Sequence, residues 1–286
     1  MVPTNVCIGL GALLFVQTIS SQQPANDRKQ IIDRRPLAAA ASSLEETRGK
    51  IVTYEEPLLT WMGDLEEIPG KSGTKGYLYP KESGTSLPSA VSSASDLHSA
   101  LNDTLDACHK QSSGTRFQVL QSSWGYHITP AMVHDSNGAL VAATSLLDAP
   151  IYVPAGERTA KDHLLALGAA VTAATGMRMD VSALPSQSAG FDNLFRANPA
   201  RFSWAAEREI ARDALIDLLS KSATSFSWRL NCQASTQPDA RFCVLNVNPV
   251  SVAITNANGQ PEKRALWFDR CADCPPLQQI LPATAR

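Results

Sequence analysis

The stretch EREIARDALIDLLSKSATSFSWRLNC, residues 207–232, decides how this chain is read. Ala211, Ala214, Leu215 and Leu218 recur at helical spacing, while Glu207, Arg208, Asp213 and Lys221 lie mostly off that stripe. This predicts an amphipathic helix beginning at residue 207 and packed on something apolar. Residues 222–225 are small and polar and predict a turn. Beyond them Phe226, Trp228, Leu230 and Cys232 alternate with polar residues, the period of a strand with one buried face. ARFCVLNVNPV, from Ala240, then reads as the antiparallel partner of that strand, across a loop containing Pro238 and Asp239.

Working outward, PIYVPAGERTAKDHLLALGAAVTAATGMRMDVSALP, from Pro150, reads as strand, helix, strand. Leu164, Leu167, Val171 and Ala174 form one helical face, Gly176 stands where a left-handed cap belongs, and Met177, Met179 and Val181 alternate after it. A short strand is expected at residues 201–204, after a variable loop. The first half follows the same order. Residues 30–33 read as a strand, Leu37, Ala41 and Leu44 as a helical face, Gly49 as its stop, and residues 51–54 as a strand. A Ser-, Gly-, Pro- and Lys-rich loop is expected over residues 70–95, followed by helix, strand, strand. HKQSSGTRFQVL in this half compares with SKSATSFSWRL in the other: the order of elements matches, whereas residue identity is low.

The segments that carry this order are IIDRRPLAAAASSLEETRGKIVTYEE, PIYVPAGERTAKDHLLALGAAVTAATGMRMDVS and REIARDALIDLLSKSATSFSWRL. Together they resemble the secretin and TonB short N-terminal domain, a small α+β fold of bacterial envelope proteins. The resemblance covers most of residues 28–250 as two copies and rests on element order, Gly49, Gly176 and ALIDLL at residues 214–219. It implies α+β architecture: two tandem small modules of mixed sheet, helices packed on one face, in the order βαβ-αββ or βαβ-βαββ. It also implies function by contact with an envelope protein, and no catalytic residue is transferred by it. The expected divisions are a signal peptide at 1–20, modules at 28–140 and 148–250, and a Cys-containing tail at 251–286. No outer-membrane barrel or secretin core follows the second copy, so the expectation is a contact protein rather than a transporter or a pore.

Charge and cysteine content narrow the setting. With 25 basic against 27 acidic residues the net charge is -2, which lacks the positive field that selects phosphate backbones, so nucleic acid is not expected as a partner. Residues 6–16 are apolar but too few to span a bilayer, which takes roughly 20. They fit the core of a secretory signal despite lacking a basic residue before Arg28, and predict a periplasmic or secreted protein with no stable membrane insertion after signal removal. Cys108 continues the inward series Leu97, Leu101, Leu105 and is expected as a free, buried thiol. Cys232 and Cys243 lie near the ends of two paired strands and are expected to bridge, while Cys271 and Cys274 are candidates for a local disulfide.

Candidate chemistry is sparse. In FDRCADCPP the prolines after Cys274 oppose the helix N-terminus that would activate a Cys-x-x-Cys dithiol, and zinc would need two more ligands. The alternative reading is a secreted enzyme or thiol-disulfide protein using that motif or a cleft between the modules. His98 and His109 are too far apart on one helix to share an ion, and the histidines, His127, His134 and His163 included, read as solvent-facing or hydrogen-bonded structural residues. Glu55/Glu56 and Glu66/Glu67 read as solvated charges. No hydrolase elbow, zincin or phosphate loop is present, so no catalytic residue, metal or cofactor is predicted. Trp228 reads as core. Trp124, beside Gly125 and Tyr126 at a hairpin tip, is the candidate for contact with a partner.

Overall fold

The chain was described from a computed structural model covering residues 28–69, 77–88, 94–112, 114–183, 201–222, 224–234, 241–255 and 258–265. The expected signal segment, Cys271 and Cys274 lie outside these residues. In the first half β1 (Arg28–Asp33) leads into α1 (Pro36–Arg48), where Pro36 sits in the first turn, the place a missing N–H does no harm. Gly49 at φ 61° closes the helix, its N–H bonded to Glu45 O, and β2 (Val52–Glu55) follows. An inserted antiparallel pair, β3 (Leu65–Ile68) and β4 (Tyr77–Pro80), precedes β5 (Ser83–Pro88), α2 (Ala94–Gln111), β6 (Arg116–Gln121), β7 (Tyr126–His134) and short β8 (Leu140–Ala142). The second half runs β9 (Pro150–Thr159), α3 (Ala160–Thr175), β10 (Arg178–Ala183), β11 (Arg201–Ile210), α4 (Ala211–Ser220), β12 (Phe226–Gln233) and β13 (Phe242–Pro249). A last hairpin, β14 (Ser251–Thr255) with β15 (Pro261–Ala265), packs on α1.

The protein is α+β, and its two halves repeat one pairing pattern. β1 pairs antiparallel with β5 as β9 does with β11. β2 pairs parallel with β7, which pairs antiparallel with β6; β10, β13 and β12 do the same. Gly49 and Gly176 mark matching positions. Four residues before each glycine, Glu45 Oε1 and Thr172 Oγ1 accept from the amide three residues after it, Val52 N at 3.1 Å and Met179 N at 2.9 Å. The pairings Gln121↔Tyr126 and Cys232↔Cys243 then align Val119 with Leu230.

The halves do not stand apart. β12 pairs parallel with β2, producing one seven-stranded sheet ordered β10-β13-β12-β2-β7-β6, with β8 beside β7. Residues paired across neighbouring strands share a face. Tyr54 and Arg229 therefore face the first half's helices, while Glu55 and Leu230 face the second half's. The helices of the two halves cover opposite faces of the shared sheet. Each half keeps its own core: Leu37, Leu44, Leu97, Leu101 and Ile128 in the first, Leu164, Leu215, Leu218, Phe226 and Trp228 in the second.

Several expectations are corrected. Residues 207–210 are strand rather than helix, because Glu207 and Glu209 pair with Tyr152 and Ile151 around an irregularity at Arg208, φ 57°. The ladder overrides the helical preference of Glu-Arg-Glu, and α4 begins only after it. Residues 70–95 are not a continuous loop: β4 and β5 lie within them, and the small residues of β5 are buried between β1 and α2. The tail expected from 251 opens with a hairpin. Ala174 is exposed, since the buried stripe of α3 ends at Val171. β12 is buried on both faces, not one, because joining β2 edge to edge brings α1 over the side that would otherwise meet water, where Ser42 and Glu45 meet Arg229.

Candidate functional site

The seam between β2 and β12 gathers most of the buried charge, and local sequence explains where each group sits. Glu55 ends β2 and Glu56 follows it, where the chain leaves the sheet, and Arg212 lies in the first turn of α4. Arg212 clamps Glu55 through Nε to Oε1 at 2.8 Å and Nη2 to Oε2 at 2.7 Å, and its Nη1 reaches Asp148 at 2.7 Å. Trp228 Nε1 donates to the same carboxylate at 3.2 Å. Burial draws the Arg212 guanidinium down, but Glu55 and then Asp148 more than offset this and leave its pKa raised.

Arg229 does the converse on the other face. It donates to Glu45 Oε2 at 2.7 Å, to Val52 O at 2.8 Å and to Trp228 O at 2.9 Å. Burial raises the Glu45 carboxyl, opposed by Arg229. Glu56 accepts from Arg35 Nε at 2.9 Å and from Cys232 N at 2.7 Å; burial raises it too, opposed by Arg35. Each half thus sends one charged residue under the other half's helices, Glu55 to α4 and Arg229 to α1. The reading of Glu55 and Glu56 as solvated charges is overturned: they are 0% and 3% exposed. Glu67 is exposed, and Glu66 meets Arg34 at 2.9 Å. The boundary where an enzymatic reading looks for a cleft is filled by this paired charge.

Cys232 and Cys243 stand opposite one another in the ladder and form a disulfide, and Cys108 is a buried free thiol. Trp124 lies at the β6–β7 turn as expected, yet it is half-buried rather than offered outward. Its ring packs on the second half's core and its Nε1 donates to Phe226 O at 3.1 Å. His98 is exposed, and the other four histidines hold structure. His127 bonds Thr53 Oγ1 at 2.9 Å and Ser122 Oγ at 2.7 Å, and stacks on Trp228 at 5.2 Å; burial, then Arg212, lowers its pKa to about 4. His163 Nε2 donates to Phe202 O, His109 Nε2 accepts from Phe117 N, and His134 Nδ1 donates to Asp64 at 2.8 Å. Among the described residues no three His, Cys, Asp or Glu side chains group as metal ligands, and no helix is long and apolar enough to cross a membrane.

No family model, curated protein or solved structure matches the chain. The remaining surface of interest is the pair of sheet ends. Among the described residues β6 pairs only with β7, and β10 only with β13. By the alignment of the halves these edges correspond to the two strands that form the seam: β6 to β12 and β10 to β2. Gln118 stands where β12 has Arg229, while Thr172 and Ser182 stand where the first half has Glu45 and Glu55. β10 carries Arg178 bonded to Asp180 through two hydrogen bonds, a charged pair that blunts an edge, whereas the one charge of β6, Arg116 at its start, bonds His109 O, and exposed Gln118 and Leu120 follow it.

Proposed function

We propose that this chain is an exported, non-catalytic interaction protein of the bacterial cell envelope, and that it receives an extended segment of an envelope protein on the β6 edge. The observation that carries the reading is the seam: the fold already joins β12 to β2 edge to edge, and β6 is the counterpart of β12 with its edge unpaired among the described residues. Strand addition of this kind takes its affinity from main-chain hydrogen bonds and its specificity from alternate side chains. The resemblance to the short N-terminal domain supports a role by contact. The Cys232–Cys243 disulfide supports an oxidising compartment.

A photo-crosslinking residue placed at Gln118, with a second at exposed Ala173 on α3 as control, tests this in intact cells. The expected result is a discrete adduct from position 118 and none from position 173. The reading fails if neither position yields an adduct, or if both yield the same ones.

A further inference from the structure

The second half shows what a strand added to β6 would meet, because β12 is the counterpart of β6 and its edge is already taken by β2. The helices that precede these two strands match as well. Ala211, Ala214, Leu215 and Leu218 of α4 are buried at the same spacing as Leu101, Thr104, Leu105 and Cys108 of α2. Asn102 then stands where α4 has Arg212, and Gln118 where β12 has Arg229. Both arginines of the seam are thus replaced by carboxamides. The third group that donates to Glu55 is lost too, since Phe117 stands where β12 has Trp228.

Burial changes along with identity. Arg212, Trp228, Arg229 and Leu230 are buried at the seam, whereas Asn102 and Gln118 are exposed and Phe117 and Val119 are half-buried. What differs is the cover: β2 lies beside β12, and Leu58, three residues past Glu55, packs on the second core. In the seam Glu55 pairs with Leu230, so a segment in the same place on β6 would set its counterpart of Glu55 opposite Val119 and toward Asn102. A carboxylate there would lose water without gaining a cation, an unfavourable exchange. A carboxamide could exchange hydrogen bonds with Asn102 and carries no such cost. Asp106, one turn beyond Asn102, and Arg116, at the head of β6, carry opposite charges, so neither sign is favoured.

We propose that the segment received by β6 is an extended strand running parallel to it, with an uncharged residue, a carboxamide above all, opposite Val119 and an apolar residue three positions later. This rests on the reading of β6 as the interaction edge, and adds to it the direction, the register and the chemistry of the partner.

Three synthetic peptides spanning residues 50–59 probe it on the full chain: one with the chain's own Glu55, one with Glu55→Gln and one with Glu55→Lys. In titrations followed by amide chemical shifts, the Gln peptide is expected to saturate the shifts of β6 at about tenfold lower concentration than either charged peptide. A nitroxide on its N-terminus should broaden amides near Arg116 rather than near Gln121, the mark of parallel addition. Asn102→Arg installs the cation of the seam at an exposed position of α2 and should reverse the order, making the Glu peptide bind more tightly than the Gln peptide. The proposal is overturned if a charged peptide binds the native chain as tightly as the Gln peptide, if the label marks Gln121, if Asn102→Arg leaves the order unchanged, or if no peptide shifts β6. In that last case an adduct from position 118 leaves the interaction reading standing, whereas the lack of one removes both.

Discussion

Glu55 and Arg212 show what a buried ion pair means at the scale of single residues. Removing two charges from water is costly, and their attraction offsets it only where geometry is good and the remaining lone pairs are satisfied. Two-pronged contact with Arg212 plus the Trp228 indole meets that condition. Arg212→Met leaves the Glu55 carboxylate buried without its cation and is expected to lower stability by about 3–5 kcal/mol in urea denaturation. Adding Glu55→Gln should recover part of that loss, because the uncompensated charge, not the lost contact, dominates the single variant. His127 carries a pH dependence of definite sign. An unfolded histidine takes up its proton near 6.5, whereas the folded one resists until about 4. Between those values the unfolded chain binds more protons, so stability is fully present above 6.5 and is lost as pH falls, by up to about 3 kcal/mol. His127→Asn should flatten the stability profile across that window; an unchanged slope counts against the burial of a neutral ring.

At the scale of elements, the two αL glycines and the bonds across them mark the repeat, and one substitution within it sets the halves apart. Glu45 and Thr172 both accept the amide three residues beyond their glycine. Only Glu45 has a second oxygen left for the neighbouring module, and Arg229 uses it. The β12–β13 hairpin delivers Arg229 and is stapled by its disulfide, closed over a sequence separation of 11. Loop entropy assigns such a staple about 3 kcal/mol. Replacing both Cys232 and Cys243 with Ala should reduce stability by about that amount, and hydrogen exchange should speed up first in β12, since its amides also hold the seam. The helices, their glycine stops, the β12–β13 hairpin and the inward Cys108 were legible in the sequence, because each depends on a spacing of three, four or two along the chain. Residues 207–210 and β5 were not, because their pairing with β9 and β1 comes from distant segments.

The whole molecule is organised by one continuous sheet whose two ends differ from its middle. In the middle, Arg229 reaches Glu45 and Arg212 reaches Glu55 across the modules; at the ends the positions matching Glu45, Glu55 and Arg229 hold Thr172, Ser182 and Gln118. The fold therefore carries one charged seam within the chain and no matching charges with which to repeat it head to tail. Two separate cores joined by a ladder and buried ion pairs should unfold together. Far-UV circular dichroism and tryptophan fluorescence, the latter weighted toward Trp204 and Trp228 of the second core, are expected to give coincident urea transitions, whereas separated midpoints would mean that the seam does not couple the halves.

Periodicity in the sequence alone determined that the chain is α+β, that its elements recur twice, and that Cys232 faces Cys243, since each of these is a relation among residues close along the backbone. The tertiary structure alone decided that the halves share a sheet, that Trp124 turns inward, and that Glu55 and Glu56 leave water. A polar residue on the outward side of a strand reads the same whether solvent or a neighbouring module covers it, and only the joining of two distant edges determines which.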